Sequence, residues 1–215
     1  MEAVAERLAR VRARIASAGG DGRSVTLVAV SKGTGTDEVV AARDAGIADF
    51  GENYAQELLA KQALVDGGLR WHFLGAVQRR KVRRLAPVVH LWQSVDRQAA
   101  GREIARHLPE GRVLVQVNVT GAPGRNGCTW EEAPALVERL RDDGLDVRGL
   151  MCVGPEDDPR PQFRRLAVLA RRLELPEVSM GMSGDLEIAV QEGATMVRVG
   201  TALFGPRSDP RDLRR

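Results

Sequence analysis

Val4, Leu8, Val11 and Ile15 recur at helical spacing in the first 20 residues, with charged residues filling the other positions. The run AGGDG then breaks the pattern, so the spacing predicts a leading helix over 1–20. Beyond it the period changes. Short β-rich runs occupy 25–31, 49–53, 71–75, 91–95, 113–119, 147–153, 178–182 and 196–204, which makes eight candidate strands. Between them lie helical patterns: TDEVVAARDAG, YAQELLAKQALVDGG, QRRKVRRLAP, RQAAGREIARHLP, TWEEAPALVERLRDDG, PRPQFRRLAVLARRL and GDLEIAVQEGA. Thr36, Thr129 and Asp185 are candidate helix caps, and Gly46, Gly144 and Gly193 are candidate helix stops.

Strands alternating with helices predict a parallel sheet, because each parallel connection needs a crossover long enough for a helix. Eight such units with no shift in composition between them predict one α/β domain, a closed (β/α)8 barrel of the TIM type. An open doubly wound sheet is the alternative, but no GxGxxG follows the first strand.

Composition narrows the class. The chain has 215 residues, 43% hydrophobic and 28% charged, which is the balance of a folded domain and not of a disordered one. No apolar run approaches the roughly 20 residues needed to span a bilayer. The N-terminus carries acids among its arginines and lacks the apolar core of a secretory signal, so the cytoplasm is the expected location. Cys128 and Cys152 form no CxxC pair, and His72, His90 and His107 lack metal-ligand spacing, so free thiols and no metal site are expected. The formal net charge is +3. On a helix, Arg79, Arg80, Arg83 and Arg84 would spread over more than one face, with Val82 and Leu85 inward. Without interleaved aromatics the cluster reads as a solvated helix, not a nucleic-acid surface. The segment 206–215 reads as a basic tail with no assignable role.

In a barrel of this type the chemistry lies where strands end and loops begin. The residues at those places are Ser31 and Lys32, Glu52 and Asn53, Gly75, Ser94 and Asp96, Asn118, Ser183, and finally Arg198, Gly200 and Thr201. Together they would line one mouth. Glycine after the eighth strand and the small residues of SMGMSGD suit a phosphate, since backbone amides can approach it closely. Lys32 ends an apolar strand, where a charge is poorly solvated and the amine is favoured as a nucleophile toward an aldehyde. A snorkelling surface lysine is the alternative.

LVAVSKGTG, DFGENYAQELLAK, WHFLGAVQRRKV, SVDR, VLVQVNVTG, VRGLMCVGP and VSMGMSGDLEIAVQEGATMVRVGTALFG, taken in order, resemble the pyridoxal phosphate homeostasis proteins. These are single-domain relatives of the alanine racemase barrel. The resemblance runs from about Leu27 to Gly205. It implies that pyridoxal 5'-phosphate is bound as an aldimine on Lys32, near Asn53, with Ser183, Gly200 and Thr201 around the phosphate. It also implies Arg198 at the pyridine nitrogen. Arginine only donates, so that nitrogen would stay unprotonated and the ring would be a weak electron sink. The racemases' second acid/base comes from a separate domain that this sequence does not contain.

The resemblance therefore implies a protein that holds the cofactor without strong amino-acid turnover, a racemase of narrow specificity being the alternative. It is expected to be a monomer with no membrane or nucleic-acid partner, and apo-enzymes that need the cofactor are possible recipients. Two departures bear on transfer. Gly33 and Thr34 follow Lys32 where relatives often carry a further lysine, and Arg125 stands where they often have lysine.

Overall fold

The computed structural model describes residues 3–19, 25–65 and 68–205. After helix α1 (Val4–Ala18), eight strands alternate with helices: β1 (Thr26–Val30), α2 (Thr36–Asp44), β2 (Asp49–Glu52), α3 (Ala55–Leu64), β3 (Arg70–Phe73) and α4 (Arg79–Leu85). There follow β4 (Val89–Val95), α5 (Gln98–His107), β5 (Arg112–Gln116), α6 (Ala133–Asp142), β6 (Asp146–Met151) and α7 (Arg160–Arg172). The last unit comprises β7 (Glu177–Ser179), α8 (Leu186–Gln191), β8 (Met196–Val199) and the short α9 (Thr201–Phe204). Every strand pairs parallel with its neighbour in chain order. β8 closes the barrel on β1, with Val28 opposite Arg198. The predicted (β/α)8 barrel is the observed fold.

Burial on both faces explains the long apolar runs of the strands. The main core fills the layer between sheet and helices, as where Phe163, Leu166, Ala167 and Ala170 of α7 turn inward. A smaller apolar cluster of Val28, Leu91, Leu114, Met151 and Met196 lies apart from it. Buried polar residues also stand on the strands: Asp49, His72, Gln93, Ser179 and Arg198. Such groups must find hydrogen-bond partners within the protein.

Several boundaries differ from the sequence pattern. The apolar run 196–204 is not one strand: it turns at Gly200, whose carbonyl accepts from the amides of Leu203 and Phe204. Burial of Leu203 on α9 supplied the apolar signal that looked like more strand. The fifth strand ends at Gln116, after which Val117 only bridges to Cys128. Thr36 is the first residue of α2 and not its cap. Thr129 does cap. Its hydroxyl accepts from the Glu132 amide at 3.2 Å, and Glu132 returns a bond to the Thr129 amide at 2.9 Å, a capping box ahead of α6. Asp185 occupies the N-cap of α8, but its carboxylate accepts the Met182 amide at 2.5 Å and no helix amide. Gly46, Gly144 and Gly193 all take positive φ at helix ends, as expected. On α4 the five basic residues are exposed while Val82 and Leu85 are buried.

Two features outside the sheet shape the barrel mouth. The leading helix packs beside α8 and α9, where Arg14 binds both oxygens of Glu187 at 2.5 and 2.8 Å and the Ser183 carbonyl at 3.0 Å. The loop after β3 comes so close to the loop after β2 that a Cβ on Gly75 would lie 1.9 Å from the Asn53 carbonyl oxygen. Among the described residues, no helix is long and apolar enough to cross a membrane. The tail 206–215 lies outside them.

Gly75→Ala is expected to push these two loops apart at a cost of roughly 1–3 kcal/mol. The urea midpoint should fall accordingly, and an unchanged midpoint would refute the tight approach.

Candidate functional site

A cavity of about 500 Å³ opens at the C-terminal ends of the strands, and all of Lys32, Asn53, Ser183, Arg198, Gly200 and Thr201 line it. Val30, Leu74, Met151 and Phe204 supply apolar wall, and Thr34, Gln116 and Asn126 add polar groups. Lys32 is half-buried just beyond β1 and makes no hydrogen bond or ion pair with the described residues. The Asn53 side-chain oxygen is buried without a partner among them. Ser183 accepts the Ala202 amide at its hydroxyl, 3.2 Å away, which ties the turn after β7 to α9.

Behind Lys32 stands a second, buried lysine. The Lys61 ammonium donates to Glu52 at 2.5 Å, to the Ser31 carbonyl at 2.6 Å and to Glu57 at 3.2 Å. Glu57 accepts the Gly33 amide at 2.9 Å, and the Ser31 hydroxyl donates to Glu52 at 2.8 Å. The backbone on both sides of Lys32 is thereby clamped. Burial raises the Glu52 carboxyl, with the Lys61 and Ser31 hydrogen bonds offsetting part of that effect. Three acceptors surround the Lys61 nitrogen, which is thereby engaged within the cluster. The sequence carried a signal for this cluster: Lys61 shares the buried stripe of α3 with Ala55 and Leu58, and Glu57 stands four residues before it.

Arg198 is buried, and its contacts are neutral. It donates to the Ser179 hydroxyl at 2.8 Å and to the Cys152 carbonyl at 2.7 Å. Burial pushes its guanidinium below the usual arginine range. Ser179 in turn contacts Gln93 at 2.7 Å, Gln93 contacts His72 at 2.8 Å, and His72 contacts Asp49 at 3.0 Å. Arg70 holds both oxygens of Asp49.

Other strand-end residues serve elsewhere. Ser94 is buried and donates to the Gly75 carbonyl, and Asp96 pairs with Arg97; neither lines the cavity. The expectation that all the named strand-end residues line one mouth is therefore corrected: Ser31, Glu52, Gly75, Ser94, Asp96 and Asn118 do not line this cavity. Asn118 folds its own loop by accepting from Thr120 and the Gly121 amide. With Arg125 it lines a neighbouring cavity of about 580 Å³. Cys128 and Cys152 are free and buried, and burial pushes both thiols up to about 12.

Comparison with known proteins places the chain in a family. A family model described as the alanine racemase N-terminal domain matches residues 1–208. The pyridoxal phosphate homeostasis protein of Pseudomonas aeruginosa is 42% identical, over 96% of this chain and 97% of its own. That of Aquifex aeolicus is 39% identical, over 94% and 97%. PipY from Synechococcus elongatus, solved with PLP bound, matches with a TM-score of 0.82 at 33% identity, covering 94% of this chain and 100% of PipY. This chain belongs to the pyridoxal phosphate homeostasis protein family.

Against the motifs of that family, the FGENY segment reads as a division of labour: Glu52 turns down to Lys61, Asn53 lines the cavity, and Tyr54 caps α3 while 60% exposed. Of the polar chain beneath Arg198, Asp49, His72 and Ser179 lie within those motifs and Gln93 lies outside them. The polar chain ends at Asp49, where burial opposes the charge but hydrogen bonds from His72 and Arg70 outweigh it and hold the carboxyl at about 2.

A depressed carboxyl stabilises the fold above its unfolded value near 3.8 and loses that contribution as pH falls toward about 2. Asp49 should therefore contribute on the order of 2 kcal/mol at neutral pH. Urea titrations of wild type and Asp49→Asn between pH 5 and about 2 should show the variant losing less stability across this window. Parallel curves would remove Asp49 from the account.

Proposed function

We propose that this chain binds pyridoxal 5'-phosphate at the barrel mouth and serves its intracellular supply, holding the cofactor without turning over amino acids at enzymatic rates. The observation that carries this reading is the pairing, in one cavity, of an unengaged primary amine with a buried guanidinium that has only neutral partners. A buried cation with no carboxylate in contact favours a ligand that brings negative charge or a lone pair. The orphaned Asn53 oxygen offers a further acceptor. The residues present therefore fit the cofactor.

When bound, the cofactor supplies an aldehyde that condenses with an amine. Lys32 provides that amine, on backbone clamped by Lys61 and Glu57. Ser183, Gly200 and Thr201, which line the cavity, would hold the phosphate. Arg198 would be the partner of the ring nitrogen. A guanidinium offers no acceptor for a pyridinium N–H, so it would leave that nitrogen unprotonated and the ring a poor stabiliser of carbanions. A racemase needs a second acid/base near the substrate. Tyr54, the only tyrosine, is exposed and does not line the cavity. The protein acts as a cytoplasmic monomer, and apo-enzymes that require the cofactor are its recipients.

Incubation with pyridoxal phosphate, borohydride reduction and peptide mapping should label Lys32, and Lys32→Ala should lose the label while keeping the fold. Labelling of Lys61 or Lys81 would overturn the assignment. In deuterium oxide, loaded protein should exchange the α-hydrogen of common amino acids well below about 1 per second, a rate at the low end for enzymes. Faster exchange would make it a racemase.

A further inference from the structure

Arg198 begins a one-way chain of hydrogen bonds. A guanidinium can only donate, so the Ser179 hydroxyl oxygen is its acceptor at 2.8 Å. The Ser179 proton is then free to go to the Gln93 carbonyl oxygen, 2.7 Å away. This sets the Gln93 amide: its nitrogen faces His72 Nδ1 at 2.8 Å and the Met196 sulfur at 2.9 Å, one N–H to each. Nδ1 must therefore be bare, and the imidazole proton lies on Nε2, 3.0 Å from Asp49 Oδ1. Arg70 holds that carboxylate from the other side. Every link between Arg198 and Asp49 is buried, and each hydrogen bond that joins one link to the next is donated in the direction of the carboxylate.

We propose that Ser179, Gln93, His72 and Asp49 are positioning residues for the bound cofactor, connecting the buried cation at the barrel mouth to an anion at the first residue of β2. The chain fixes the plane of the Arg198 guanidinium and polarises its N–H groups. Its three neutral members let a cation stand at the cavity without a carboxylate beside it. An adjacent carboxylate would take up its donors and would repel a phosphorylated ligand. Gln93 and Ser179 are separated by 86 positions in the chain, so only closure of the barrel brings them together. This inference rests on the reading that the cavity takes pyridoxal phosphate.

Its test has two arms. In the first, nitrogen-15 NMR of the cofactor-free protein at neutral pH should show His72 with Nδ1 unprotonated and Nε2 protonated. A proton on Nδ1 would reverse the chain and overturn the proposal. In the second, Ser179→Ala and Ser179→Thr are loaded with pyridoxal phosphate, and absorbance spectrum, cofactor release and melting are compared with wild type. Loss of one charge-assisted hydrogen bond should speed release by about tenfold and shift the spectrum in Ser179→Ala, with Ser179→Thr restoring both. Asp49→Asn should change both in the same direction, and it serves if Ser179→Ala fails to fold. Wild-type spectrum and release in a folded Ser179→Ala or Asp49→Asn protein would overturn the positioning role. Failure of wild type to take up pyridoxal phosphate would refute the proposed function instead, and the NMR arm would still judge the chain.

Discussion

A charge that can only donate hydrogen bonds sits buried at the top of this barrel, and the polar interior is arranged around it. Burial of the Arg198 guanidinium is costly unless its N–H groups are met. Two are met by neutral oxygens, and the nearer carboxylate of the connected network is three residues away. A closed parallel sheet makes this feasible: its backbone groups pair with one another, so interior polar side chains must satisfy themselves among their own kind. The position also sets what the cavity can hold, a ligand with an acceptor or a negative charge facing that cation.

The two lysines near the mouth show how environment divides one residue type into two roles. Lys61 is enclosed by carboxylates and a carbonyl and works as a structural cation. Lys32 stands beyond the strand end with no such partners, and its loop is held in place by the very cluster that engages Lys61. Gly33 is fixed through its amide, and Thr34 lines the cavity.

Much of this was legible in the amino-acid pattern. Strands buried on both faces read as apolar runs, and helices between them read by period, which is enough to count eight units and infer closure. The cavity residues were legible because barrel chemistry gathers at strand ends. Boundaries failed where apolar residues changed element without changing character, as at Leu203. Ser94 and Asp96 misled because a polar residue at a strand end can equally bind backbone or a neighbouring arginine. The interior chain from Arg198 to Asp49 was not legible at all. Its members lie on five different strands or loops of the sheet, and no local spacing records a contact made only across a closed barrel. Lys61 is intermediate: a lysine on an apolar stripe was visible, but its partners were not.

The turn carrying Ser183 is braced by Arg14 of the leading helix on one side and by the Ala202 amide of the last helix on the other. The opening between them takes residues from Val30 to Gly205. A growing polypeptide thus lacks part of this receptacle's wall until Gly205 has left the ribosome, whatever the order in which earlier segments collapse.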